Sequence, residues 1–199
     1  MIAALKCYLA IAAYRVDQSG DTVLSTWDFI QIARLSKPMV FEGLTILEAF
    51  GLIQIYPREA SNTHAFGLGE LTTGFRKVPQ DVVAAGLPLI ANRGAASLDA
   101  LKLYLALLYN RNEEDNSTTI SHVKLREYTG IRPENIVRAY SVLHTANFVV
   151  IERLATGGAN GHPLNVYRMR GDFAGRRPRL QRPSEQRRSD RAADRAIPF

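Results

Sequence analysis

The chain has 199 residues, 46% of them apolar and 22% charged, a length that holds one large domain or two small ones and a composition ordinary for a packed globular protein. Its single cysteine, Cys7, excludes an intramolecular disulfide and a cysteine-rich zinc site, and it fits a reducing, cytoplasmic compartment. The net charge is +6, but residues 1–96 carry 8 basic and 8 acidic side chains, residues 97–170 carry 9 and 7, and residues 171–199 carry 8 and 4, so the basicity belongs mostly to the C-terminal stretch.

Met1 to Tyr14 is apolar, yet Lys6 interrupts it and it lacks the basic flank of a secretory signal. It is also too short to span a bilayer, and no membrane partner is expected. Ala4 to Arg15 reads instead as a helix that buries Leu5, Tyr8, Leu9 and Ala12 at helical spacing. Ser25 to Leu35 is the next helix, with Trp27 and Ile30 directed into the core. Ser36 as N-cap and Pro38 in the first turn open a third, which Gly51 ends. Residues 52–56 and 63–68 then form a hairpin. The connector from Gly69 to Ser97 holds a short strand over Phe75–Pro79 and a short helix over Asp81–Ala85.

Further along, Ser121 caps a helix to Thr129 with Val123, Leu125 and Tyr128 as its apolar positions, and Gly130 suits a left-handed C-terminal residue. After Pro133, Ile136, Val137, Tyr140 and Leu143 share one face of a helix, while Glu134, Asn135, Arg138 and Thr145 fall on the other. Two short helices across a glycine-containing turn make a helix-turn-helix. Residues 148–151 and 165–169 form a second hairpin around a Gly-rich loop. From Gly171 to Phe199 the chain has eight arginines, three prolines, no lysine and almost no periodic apolar residues. Such a tail buries too little surface to offset its ordering entropy and is expected to be disordered, with a nonspecific attraction for nucleic acid.

The chain also repeats itself. Ala4-Leu5-Lys6-Cys7-Tyr8-Leu9-Ala10 recurs 96 residues on as Ala100-Leu101-Lys102-Leu103-Tyr104-Leu105-Ala106. The same offset matches Ser25 with Ser121, Trp27 with Val123, Val40 with Ile136, Leu44 with Tyr140, Leu47 with Leu143 and Ile55 with Ile151. Coincidence of apolar positions through two helices and a strand marks a structural duplication.

Helix, helix-turn-helix and hairpin, present twice, resemble tandem winged-helix proteins, among them plasmid or phage replication initiators and winged-helix transcriptional regulators. The resemblance implies an α+β fold of two tandem winged helix-turn-helix domains, at 1–68 and 69–170, followed by a disordered basic tail at 171–199. It also implies double-stranded DNA as partner, with the helix after Pro133 reading bases. On that helix, Arg138 would pair with guanine, Asn135 with adenine and Glu134 with cytosine N4, while Arg132 would hold phosphate at the helix N-terminus. In the second hairpin, Arg153, His162, Arg168 and Arg170 would contact phosphate or the minor groove. In the first copy, Met39 stands where Asn135 stands and Glu42 where Arg138 stands. An acidic and apolar face at Met39, Glu42 and Ile46 suits a protein partner or a second copy better than DNA.

No catalytic constellation, metal site or cofactor is expected. His64, His122, His144 and His162 are scattered, His144 lies toward its helix's buried side, and Cys7 aligns with the apolar Leu103 as a buried thiol. The glycines between Thr156 and Gly161 lack the Gly-Lys-Ser/Thr ending of a phosphate loop. No aromatic platform for RNA is visible. The rival from a different class is a tandem winged-helix adaptor in a chromosome-organising or other complex. A continuous stripe of charge along Arg132, Arg138, Arg153 and Arg168 separates DNA reading from it.

Overall fold

The computed structural model describes residues 1–15, 21–57, 63–68, 77–153 and 165–173. The first half runs α1 (Ile2–Ala13), β1 (Asp21–Ser25), α2 (Thr26–Ala33), α3 (Lys37–Ala49), β2 (Ile53–Pro57) and β3 (Thr63–Leu68). A connector helix α4 (Gln80–Gly86) leads through a 3-10 turn, Leu87–Leu89, into the second half. There α5 (Ala95–Tyr109), β4 (Ser117–Thr119), α6 (His122–Thr129), α7 (Pro133–Thr145), β5 (Val149–Arg153) and β6 (Asn165–Met169) follow in the same order. Each half closes on an antiparallel three-stranded sheet, ordered β1-β3-β2 and β4-β6-β5. The fold is mixed α+β.

Local chemistry explains the helix limits. Ser25 and Asp28 cap α2 reciprocally: the Ser25 N–H donates to Asp28 Oδ2 at 2.6 Å and the Asp28 N–H to Ser25 Oγ at 3.2 Å. The Ser121 hydroxyl accepts from the Lys124 N–H at 3.3 Å to begin α6, which ends at Gly130 with φ +67°. Proline stands in the first turn of both α3 and α7, where no backbone donor is lost.

β1 and β4 are not in the sequence-based reading. Each is short, and each is made only by pairing with a distant strand: Val23 opposite Ala65 in one sheet and Thr118 opposite Tyr167 in the other. Within the connector, Lys77 to Pro79 forms no strand, and Phe75 and Arg76 lie outside the described residues, as do residues 174–199 of the tail.

The buried faces correct the helical patterning at several points. In α1 the fully buried positions include Ala3, Ala4, Lys6, Cys7, Leu9, Ala10, Ile11 and Ala13, while Leu5, Tyr8 and Ala12 are only half-buried. The reason is that α1 packs on α3 from one side and meets α4 and α5 on another, so few of its positions are left to solvent. Trp27, expected in the core, is 40% exposed, and Val123, Tyr128 and Val137 also face solvent. On α7 the inward set is Ile136, Ala139 and Leu143, a spacing of three and four that turns Val137 outward by about 100°. His144 is exposed as well, its ring 5.8 Å from that of Tyr140.

α4 lies between the halves. It contacts α1 and α2, and the 3-10 turn contacts α2. At its end Gly86 sits so close to the other half that a Cβ there would overlap the Ala146 carbonyl oxygen and lie 2.7 Å from the Phe148 ring. Gly86→Ala is therefore expected to cost about 1–3 kcal/mol through overpacking, read as a lower urea midpoint at unchanged slope.

Candidate nucleic-acid interface

α7 presents one face to solvent. Pro133 sets its first turn and the core takes Ile136, Ala139 and Leu143, so Glu134, Val137, Arg138, Ser141, His144 and Thr145 are left exposed. Arg138 sits at the middle of that face, and Arg132, the N-cap residue, sits at its entrance with an extended backbone (φ −67°, ψ 143°). Neither guanidinium has a hydrogen-bond or ion-pair partner among the described residues, and Arg170, Lys124 and Arg126 are free in the same sense. A solvated guanidinium with no internal partner keeps its five N–H donors for an external acceptor.

The other residues of the reading are placed differently. Asn135 is half-buried at the edge of the face, and its backbone N–H donates to the Arg132 carbonyl at 2.9 Å. Glu134 occupies the first turn of α7, where its carboxylate complements the helix dipole without needing a ligand. Arg168 is already engaged: its Nε and an Nη donate to the two Glu152 carboxylate oxygens at 3.0 and 3.1 Å, and its other Nη donates to the Asp115 carbonyl at 3.1 Å. That bidentate pair holds the Glu152 carboxyl below its ordinary range and raises Arg168. Arg168 is thus tied into the outer face of its own sheet, whereas Arg132 and Arg138 are not tied. Arg170 is exposed, with its N–H on the Phe148 carbonyl at 2.9 Å. His162 and the side chain of Arg153 lie outside the described residues.

The matching face of α3 has another chemistry. Lys37, Pro38, Phe41, Glu42, Thr45 and Glu48 are exposed, and Lys37 Nζ lies 5.8 Å from the Phe41 ring centroid. Met39 and Ile46, expected to form an exposed apolar face, are half-buried and packed against the core. Their burial has a simple cause: α3 leans on α1, and Gly43 approaches the Ala3 backbone closely enough that a Cβ would lie 2.9 Å from the Ala3 carbonyl carbon. The large apolar side chains that the described residues of the first half do expose are Met1, Val23, Trp27, Phe41, Phe50, Leu52 and Tyr56.

Val137 and Ser141 complete the outward face of α7 and were missed in the sequence. Their signal is the spacing of Ile136, Ala139 and Leu143, which fixes the inward direction better than the larger Val137 and Tyr140 do. The Ser141 hydroxyl donates to the Val137 carbonyl at 2.9 Å, so only its acceptor lone pairs face outward. Cys7 is fully buried and its thiol is pushed up to about 12 by that burial, which leaves it no thiolate at neutral pH. No helix among the described residues is long and apolar enough to cross a membrane.

No protein-family model matches the chain, and no curated protein sequence is similar to it.

Proposed function

We propose that the two halves are tandem winged-helix units and that the chain is a sequence-specific double-stranded DNA-binding protein, acting in transcriptional control or in replication initiation on a mobile element. What carries the reading is one contrast: α7 offers Arg132 and Arg138 to solvent with no partner among the described residues, while α3 offers Phe41 and Glu42 at positions 96 residues earlier than Val137 and Arg138. In the mechanism, α7 enters the major groove, Arg138 reads guanine, and Arg132 grips a phosphate beside the helix N-terminus. Asn135 reaches adenine only from the edge of the helix. Arg170 and the 154–164 stretch, which includes His162, would lean on the flanking backbone. The tail at 171–199 would add a sequence-blind, salt-sensitive term.

Arg138→Ala is expected to weaken binding to a selected duplex by about 10- to 100-fold and to relax one base position. Fluorescence anisotropy on a panel of single-base variants of the duplex reads this directly. An equal loss on every duplex makes Arg138 a phosphate contact, and no loss removes α7 from the interface.

A second reading is favoured by the first half. Phe41 and Phe50 are 49% and 70% exposed, and the acidic Glu42 beside Phe41 would repel a phosphate backbone. This half would pair with a protein or with a second copy, and in the latter case the DNA target would carry two half-sites. Sedimentation of the full chain, with Phe50→Ser as the comparison, tests that role.

A further inference from the structure

The two halves differ at the corner where the second and third helices of each meet its sheet. In the second half this corner is filled. Tyr140 lays its ring with the centroid 6.4 Å from that of Tyr167, and its hydroxyl oxygen accepts a 3.1 Å hydrogen bond from the Ile151 N–H. The Tyr167 hydroxyl lies 3.3 Å from His122 Nε2.

At the repeat offset, Leu44 stands for Tyr140 and Thr26 for His122. The strand registers agree, since Ile55 opposes Phe66 as Ile151 opposes Tyr167. A phenol ring and an imidazole are thus replaced by shorter side chains. The first half is left with a pocket of about 170 Å³, bounded by Phe29, Phe41, Leu44, Thr45, His64 and Phe66. Phe29 and Phe66 meet edge to face at 5.4 Å, and the His64 ring lies 6.2 Å from Phe66, so the walls are aromatic. His64 Nδ1 is buried and has no hydrogen-bond partner among the described residues. Leaving such an atom unpaired is costly. By the shared register, the Ile55 N–H occupies the place from which Ile151 serves Tyr140.

We propose that this pocket binds a small phenol. The ring takes the space that Tyr140 fills in the other half. Its hydroxyl oxygen accepts from the Ile55 N–H, and its O–H donates to His64 Nδ1. One hydroxyl carries the donor and the lone pairs that both contacts need. The volume holds a single ring, and among the described residues no cationic side chain lines it to favour a carboxylate. Phe41 and Thr45 are exposed at the rim, so the site opens to solvent without rearrangement. The site stands apart from α7 and does not depend on DNA binding.

The test titrates the full-length protein with p-cresol, following amide shifts by NMR and heat by calorimetry, with toluene and benzoate as controls. A ligand of about eight non-hydrogen atoms is expected to bind with a Kd between about 10 µM and 1 mM. Shifts should centre on Thr45, Ile55 and His64 and leave Tyr140 and Ile151 unmoved, and toluene and benzoate should bind at least about tenfold more weakly. Leu44→Tyr should fill the pocket and abolish binding. His64→Ala keeps the ring's space, so it should weaken p-cresol and spare toluene; it decides the matter should Leu44→Tyr not fold. Absence of binding at about 10 mM overturns the proposal. So do equal affinity for p-cresol and toluene, undiminished binding to His64→Ala or to folded Leu44→Tyr, and shifts centred elsewhere.

Discussion

Replacing Lys6 by methionine is expected to lower the unfolding free energy by about 2–5 kcal/mol, a larger loss than any surface substitution in this chain would cause. Methionine fills nearly the same volume, so the loss reports polar contacts rather than a cavity. Lys6 is fully buried, and its ammonium donates to the Ala33 carbonyl at 3.0 Å, the Ile90 carbonyl at 2.6 Å and Asn92 Oδ1 at 2.7 Å. Asn92 in turn donates its amide to the Arg34 carbonyl at 2.7 Å. One side chain on α1 therefore joins the end of α2 to the segment that leads into α5. Removing it strands the Ala33 and Ile90 carbonyls away from water, and each such group costs about 1–3 kcal/mol. Denaturant unfolding of the two proteins at pH 7 measures the difference.

The same substitution separates two effects of opposite sign. Burial, helped by the nearby Arg34 charge, lowers Lys6 from 10.5 to about 8, although three acceptors surround the ammonium. A lysine that gives up its proton more readily in the folded state than in the unfolded chain makes folding more favourable as pH rises from about 8 to 10.5, because the unfolded chain binds the extra proton in that window. The stability gap between the native protein and Lys6→Met should thus widen from pH 8 to pH 10. Tyr8, Tyr14, Tyr104 and Tyr167, all raised chiefly by burial, titrate in both proteins and drop out of the difference. A gap that narrows instead would mean that the three hydrogen bonds outweigh the desolvation of the charge.

Lys6 also marks the limit of what the sequence discloses. A lysine within an apolar helix reads as its solvent edge, and only the packing of a segment more than eighty residues away turns that edge inward. Helix ends were legible, since Ser121, Gly130 and Pro133 act through contacts a few residues apart. Exposure was less so. Periodicity gives the direction of a face but not its width: Trp27, Val123 and Val137 read as inward, but the buried sets are Asp28, Phe29, Ile32 and Ala33 on α2, Leu125 on α6, and Ile136, Ala139 and Leu143 on α7. β1 and β4 left no signal because three- and five-residue strands acquire their identity only from partners across the sheet. At the candidate interface, Arg132 and Arg138 were legible as outward residues, but the engagement of Arg168 was not. It depends on Glu152 facing the same side of the adjacent strand, diagonally across the Val150–Arg168 and Glu152–Val166 pairs.

The largest functional effect is expected from reversing both free charges of α7. Arg132→Glu with Arg138→Glu should reduce affinity for a selected duplex by at least about 1,000-fold, because each change removes a contact of about 1–3 kcal/mol and sets a carboxylate against phosphate. Stability should barely move: both side chains are exposed and have no partner among the described residues, and an acid at the N-cap of α7 suits the helix dipole. A loss of binding at unchanged melting temperature thus cannot come from unfolding. The salt dependence tells which kind of contact was lost. Each phosphate contact removed lowers the slope of log K against log salt by about 0.9, whereas loss of a base contact leaves the slope and removes the discrimination among duplexes. The Arg-rich segment at 174–199 remains in this variant and sets a floor of sequence-blind binding. If the variant keeps both its affinity and its preference for the selected duplex, α7 is not the reader. If the wild type itself shows only that floor, the basic segment alone draws the protein to nucleic acid. The two halves then act as a scaffold for proteins, and exposed Phe41 and Phe50 become the first positions to alter.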